Sequence, residues 1–87
     1  MWRIEFKPQA LAEFEELDSV VAQRILTKIK WLSENIEQIT PQPLSGALRG
    51  LFKLRVGNYR VIYSINPKEL LVTVHLVGHR REIYRDR

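Results

Sequence analysis

The stretch from Arg49 to Ser64, RGLFKLRVGNYRVIYS, decides the fold. Its two β-rich runs, Leu51–Val56 and Tyr59–Ser64, are separated by Gly57-Asn58. A two-residue Gly-Asn connection predicts a tight hairpin, because glycine at the first central position of a type II′ turn accepts positive φ. Counting outward from the turn, Val56 faces Tyr59, Arg55 faces Arg60, Leu54 faces Val61, Lys53 faces Ile62 and Phe52 faces Tyr63. Side chains alternate across a strand, so Phe52, Leu54, Val56, Tyr59, Val61 and Tyr63 share a core face. Lys53, Arg55 and Arg60 share the other. Arg55 and Arg60 are then like charges directly opposite each other, which opposes strand pairing. Repulsion left unrelieved on a small sheet points to an anion as the occupant of that face.

Downstream, Asn66-Pro67-Lys68-Glu69 reads as a turn and Leu70–Val77 as a further strand. Pairing Ile65 with Leu70 places Tyr63 opposite Val72, Val61 opposite Val74 and Arg60 opposite His75. Leu70, Val72, Val74 and Leu76 then join the core face, and Thr73 and His75 extend the basic one. Gly78 ends or bends this strand. The tail His79-Arg80-Arg81-Glu82-Ile83-Tyr84 passes the sheet edge beside Arg60, with Ile83-Tyr84 as an apolar and aromatic docking pair.

Upstream, Trp2-Arg3-Ile4-Glu5-Phe6 alternates with period two and predicts a short strand. Pro8 suits the start of a helix, with Ala10, Leu11, Phe14 and Leu17 at helical spacing. Asp18 or Ser19 offers an N-cap to a second helix in which Val20, Val21, Arg24, Ile25, Lys28, Ile29, Leu32 and Ile36 alternate apolar and charged faces at helical spacing, to an end near Gln38. Trp31, at the edge of the apolar stripe, reads as a packing residue. Pro41–Gly50 reads as a loop from its Pro and Gly content. The expectation is a single α+β domain over residues 1–87: order β-α-α-β-β-β, with a two-helix hairpin on one face of a mainly antiparallel four-stranded sheet and the other face open.

Composition narrows the chemistry. The chain has 87 residues and no cysteine, so neither a disulfide framework nor a thiolate metal site is available. His75 and His79 are too few for a His-only zinc site. No apolar run approaches a membrane span and Met1–Gln9 lacks the apolar core of a signal peptide, so a cytoplasmic protein without a membrane partner is expected. The net charge of +4 is uneven. Residues 1–40 carry five basic against seven acidic side chains, and residues 41–87 carry nine against three. That asymmetry points to a polyanion, nucleic acid being the usual one, with a merely solvated basic surface as the alternative.

Lys and Arg beside an aromatic suit single-stranded RNA, the cations meeting phosphates and the ring stacking on a base. RNA cleavage through its own 2′-hydroxyl needs in-line alignment, charge stabilisation at phosphorus and proton transfer at both ends. Arginines supply the second, and Lys53, crowded by Arg55 and Arg60, is the candidate base. No carboxylate cluster is present to hold a metal, and none is needed.

The order of elements, together with LRGLFKLRVGNYRVIYSI and VGHRREIYR, resembles the RelE/ParE toxin superfamily and, within it, the RelE branch of toxin–antitoxin systems. The likeness covers nearly the whole chain, the second half being its specific part. It implies a metal-independent, cofactor-free, ribosome-dependent endoribonuclease that cuts translated mRNA in the A site. It also implies a small RelB-like antitoxin with an acidic segment that covers the basic face. By the same resemblance Lys53 takes the place of a basic residue that activates the 2′-hydroxyl, Arg60 of the arginine that stabilises the transition-state phosphate, Arg80 of the general acid and Tyr84 of the tyrosine that stacks on the mRNA. Arg49, Arg55, His79 and Arg81 are expected RNA contacts, and His79 is an additional acid/base candidate. Some relatives carry a second lysine where this chain has Leu51, and some a longer arginine-to-tyrosine spacing. Two other readings accompany the resemblance: a ParE-like inhibitor of DNA gyrase, and a non-catalytic RNA-binding or regulatory module.

Overall fold

A computed structural model describes residues 1–83, so Tyr84 lies outside the described residues. The hairpin has the register that its turn predicts. β3 (Phe52–Val56) and β4 (Tyr59–Asn66) run antiparallel, with Val56 opposite Tyr59, Arg55 opposite Arg60 and Lys53 opposite Ile62 (element numbers follow chain order). Gly57 sits at φ 59°, a conformation that costs a side-chain-bearing residue about 1–2 kcal/mol.

The sheet has five strands rather than four. β5 (Leu71–His79) pairs antiparallel with the other side of β4, and β1 (Arg3–Phe6) pairs parallel with β5. The fifth strand is β2 (Gln42–Pro43), which pairs antiparallel with β3 and gives the order β1-β5-β4-β3-β2. Pro43 reads as a loop residue, but an edge strand needs backbone donors on one side only and so tolerates proline. Pairing extends past it, the Leu44 N–H donating to the Leu51 carbonyl at 3.0 Å.

α1 (Pro8–Glu15) opens with proline in its first turn. α2 (Ser19–Asn35) is capped by Asp18, whose carboxylate accepts the N–H groups of Val20 and Val21 at 2.9 and 3.1 Å. It stops at Asn35, short of Gln38. There the Asn35 side-chain amide donates to the Trp31 carbonyl while the Asn35 carbonyl accepts from Gln38 and Ile39, so turn geometry replaces the helical ladder. The helical hairpin covers one sheet face: Ala10, Ile25, Ile29, Leu32 and Ile36 pack with Leu54, Val61, Tyr63, Val72, Val74 and Val77. Each fully buried aliphatic side chain contributes about 1.5–3 kcal/mol. Trp31 is 39% exposed rather than packed, with Lys28 Nζ 4.1 Å above its ring.

Between β4 and β5 the register departs from the expectation. Ile65 opposes Val72 instead of Leu70, and Arg60 opposes Gly78 instead of His75. β4 runs on to Asn66, which pairs with Leu71, and the chain reverses through Pro67–Leu70 with Leu70 at φ 51°. That moves the pairing by two residues and leaves the faces unchanged. A bulge between Ile62 and Tyr63 then adds one more and exchanges them, since side chains alternate with period two. Val77 therefore joins the main core, and Leu76 turns to the opposite face beside Ile62.

That opposite face is consequently not open. Ile62, Leu76 and Ile83 form a second apolar cluster, with Leu44, Leu48 and Leu51 packed against it. A short 3-10 turn, Gly46–Leu48, brings in the leucines, and α3 (Arg80–Ile83) brings in Ile83. Gly78 does not end β5, which runs on to His79. It makes room: Ile83 Cδ1 lies 3.4 Å from where a Cβ on Gly78 would stand.

Candidate nucleic-acid interface

The basic face of the sheet is built around the turn that joins β3 to β4. Arg60 is only 8% exposed, because its side chain folds back along that turn rather than projecting from the sheet. Its Nη1 donates to the Gly57 carbonyl at 3.2 Å and the Tyr59 carbonyl at 3.0 Å. Its Nε is buried without a hydrogen-bond partner. Among the described residues no carboxylate pairs with it. Among the described residues this buried guanidinium is held only by neutral carbonyls, with its buried Nε donor unused, and it is poised for an anion, since burying an unbalanced charge is costly and an anion removes the imbalance.

Arg80 is tied to the same turn. Its backbone N–H donates to the Asn58 carbonyl at 2.8 Å, continuing the β5 pairing past His79 and placing α3 beside Gly57-Asn58. Arg80 and Arg81 are exposed there. Arg55, opposite Arg60, is exposed, and Lys53 is half-buried opposite Ile62, which makes it the diagonal neighbour of Arg60 on the same face. Arg49 is exposed at the end of the 3-10 turn. Lys53, Arg55 and Arg60 thus share one face, with Arg80 held at its turn end.

The two histidines do not join that group. His79 lies opposite Tyr59, on the helix side of the sheet, with the rings edge-on at 5.4 Å between centroids. Its Nδ1 accepts the Arg81 N–H at 3.1 Å, and it lines a polar cavity of about 560 Å³ with Glu13, Glu16 and Tyr59. His75 falls at the bulge, at the far end of the basic face from Arg60, with its Nε2 2.8 Å from Ser64 Oγ. Burial and, secondarily, the Lys7 ammonium hold its pKa below the ordinary value, so the ring is neutral at pH 7. In the core, burial pushes the Tyr63 phenol up to about 12, leaving it protonated. Among the described residues there is no group of three or more His, Cys, Asp or Glu placed to hold a metal ion. Nor is any of their helices long and apolar enough to cross a membrane.

Two features escaped the sequence. The Gly57-Asn58 carbonyls that seat both arginines are backbone groups, with no signature beyond the turn itself. The apolar floor between Arg60 and His75 was detectable in principle from Leu44, Leu48 and Leu51, spaced four and three apart within a segment rich in turn residues.

Residues 4–84 match the family model for the ParE toxin of type II toxin–antitoxin systems. The chain belongs to the RelE/ParE toxin superfamily. A putative RelE-like toxin of Escherichia coli is 30% identical over 84 residues, covering 91% of this chain and 83% of that protein. The mRNA interferase toxin RelE of Escherichia coli K12 is 29% identical over 90 residues, covering 95% and 90% respectively. Among solved structures, isolated E. coli RelE superposes with a TM-score of 0.77 at 26% identity, over 97% of this chain and 92% of that one. The toxin–antitoxin complex RelBE2 of Mycobacterium tuberculosis gives 0.80 at 24% identity over 93% of both chains, a likeness of fold. This protein is a RelE-like toxin of a toxin–antitoxin system, and the five-stranded sheet with its helical hairpin is the fold of that group.

Proposed function

We propose that this toxin is an endoribonuclease that cleaves translated mRNA on the ribosome. The observation that supports this reading is Arg60, a buried guanidinium with an unused donor and no carboxylate partner among the described residues. In the reaction the ribose 2′-oxygen attacks the adjacent phosphorus and the bond to the 5′-oxygen breaks, leaving a 2′,3′-cyclic phosphate and a 5′-hydroxyl. Lys53 takes the 2′-hydroxyl proton. Arg60 donates to the phosphoryl oxygens as charge builds on them, an interaction stronger in the transition state than in the ground state. Arg80 supplies a proton to the departing 5′-oxygen, and Tyr84 stacks on the mRNA. Arg49, Arg55 and Arg81 meet flanking phosphates, while His79, turned to the helix side, serves the rim at most.

Ribosome dependence follows from how little of the proton chemistry this set carries. Positioning by the ribosome supplies the in-line geometry that three cations do not. The partner that silences the toxin is an antitoxin whose acidic segment covers the basic face, since a +4 domain attracts such a segment and its burial stabilises a small core. Several structural relatives are toxin–antitoxin complexes, among them RelBE of E. coli.

The test is primer extension on an mRNA in a reconstituted translation reaction, comparing the wild type with Arg80→Ala and Tyr84→Ala beside a free-RNA control. Cuts confined to ribosome-bound mRNA and lost in both variants are expected. The family model's own name favours a second reading, ParE-like inhibition of DNA gyrase. Intact mRNA together with blocked supercoiling by gyrase establishes that one instead.

A further inference from the structure

The chain passes from β5 into α3 with no residue between them: His79 ends the strand and Arg80 opens the helix. The first N–H groups of any helix lack partners inside it, and α3 has four residues in all. Two of its donors are satisfied from outside. The Arg80 N–H donates to the Asn58 carbonyl at 2.8 Å, and the Arg81 N–H donates to His79 Nδ1 at 3.1 Å. His79 therefore stands at the N-cap position, its side chain accepting from the second residue of the helix as a cap does. Histidine is not among the residues usually found in that role.

The ring accounts for the departure. Nδ1 is bonded to Cγ, as Oδ1 is in asparagine, so one half of the imidazole has the reach of an asparagine cap. The other half supplies what asparagine lacks, an edge-on contact with the Tyr59 ring at 5.4 Å between centroids, which ties the cap to β4. Glu13 and Glu16 of α1 line the same cavity as the ring. A nitrogen that accepts carries no proton, so in this arrangement the ring's proton lies on Nε2. His79 also sits opposite Tyr59 on the helix side of the sheet, whereas Lys53, Arg55 and Arg60 share the other face. Direct proton transfer to RNA is the poorer fit for a ring so placed.

We infer that His79 is a positioning residue for cleavage: by capping α3 it fixes how the chain turns out of β5, and so where Arg80 stands at the edge of the basic face. The inference rests on the nuclease reading for what Arg80 does there. Three points hold that arginine. The Asn58 carbonyl takes its own N–H, the His79 cap takes the next one, and Ile83, its neighbour three residues along the helix, is buried between Ile62 and Leu76. A helix of one turn has little else to orient it, and a misplacement of about 1 Å costs a reaction roughly 100-fold.

The experiment measures kcat and KM for cleavage of mRNA on programmed ribosomes by the wild type, His79→Ala, His79→Asn, Arg80→Ala and the double variant of His79→Ala with Arg80→Ala. Exchange of the Arg81 amide is followed by NMR in the isolated full-length toxins. His79→Ala is expected to lower kcat about tenfold or more with KM little changed, and to speed Arg81 exchange about fivefold, as loss of a cap does. His79→Asn restores both to within about threefold of the wild type, because asparagine caps as well. The double variant is no slower than Arg80→Ala alone, since the two substitutions remove one effect. Asparagine as slow as alanine makes the imidazole itself a proton carrier. Equal rates for the wild type and His79→Ala remove the residue from the reaction, and a double variant slower than Arg80→Ala by the full factor shows His79 acting apart from Arg80. Each of these three overturns the inference and leaves the nuclease reading in place. A wild type that cuts no ribosome-bound mRNA overturns that reading and the inference with it.

Discussion

Arg55 and Arg60 stand directly opposite each other across β3 and β4, the first exposed to solvent and the second buried against the carbonyls of Gly57 and Tyr59. The like-charge pair is relieved by divergence. Arg55 relies on water, whereas Arg60 withdraws into the turn and keeps its Nε unpaired. One is suited to capturing phosphate from a distance, the other to stabilising it at contact.

Arg60→Met separates function from stability. It replaces a buried, unbalanced charge with a shorter, apolar and flexible chain, a change that is commonly neutral or stabilising. Cleavage of ribosome-bound mRNA falls by about 10²–10³, the cost of losing one preorganised donor. Urea unfolding and primer extension on the same preparation check both halves. A variant with full activity removes Arg60 from the mechanism.

Arg55→Gln leaves the chemistry and alters capture. With one phosphate contact fewer, the slope of log affinity against log salt for single-stranded RNA is shallower by about 0.7. Binding isotherms at several salt concentrations measure it. An unchanged slope places Arg55 off the RNA path.

The β3–β4 hairpin was legible to the residue because a two-residue turn leaves one register. The β4–β5 pairing was not, because four residues of loop and a bulge at Ile62/Tyr63 leave no fixed count, and the sequence has no marker for a bulge. The error mattered for the site. It set His75 against Arg60, where Gly78 stands, and left open a face that Leu76, Ile83 and the leucines of residues 44–51 cover. Lys53, Arg55 and Arg60 were legible as one face because they depend only on the hairpin. The depth at which Arg60 lies was not, since it comes from a side chain folding back onto its own turn.

The space beside Gly78 limits the side chain there to about a methyl group. Alanine there meets Ile83 Cδ1 at 3.4 Å, ordinary contact, and is tolerated. Valine displaces Ile83 from the second cluster and loses about 1–3 kcal/mol as overpacking does. Thermal melts of Gly78→Ala and Gly78→Val are expected to differ accordingly. Equal melting temperatures mean that Ile83 is not seated through this glycine.

β1 ends its pairing with β5 at Phe6 and Val74, and beyond it Glu13 of α1 takes over the edge, its Oε1 accepting the Val77 N–H at 2.9 Å. Glu13→Gln keeps an acceptor and costs little. Glu13→Leu leaves the N–H unpaired in a half-buried site and costs about 1–3 kcal/mol. Denaturation midpoints, with amide exchange at Val77 accelerated in the leucine variant alone, test the assignment.

His75 makes stability depend on pH in one direction. Burial first and Lys7 second hold its folded pKa below the ordinary 6.5, so the unfolded chain binds this proton more readily than the folded one. Its contribution is fully present above that value and is lost as pH falls from it through the lowered folded value. His75→Asn should therefore flatten the decline in stability on acidification, while Lys7→Met reduces it only in part because burial is the larger cause. Urea midpoints between neutral and mildly acid pH, for the wild type and both variants, decide the matter. A His75→Asn variant that loses stability on acidification as steeply as the wild type would assign the pH dependence to other groups.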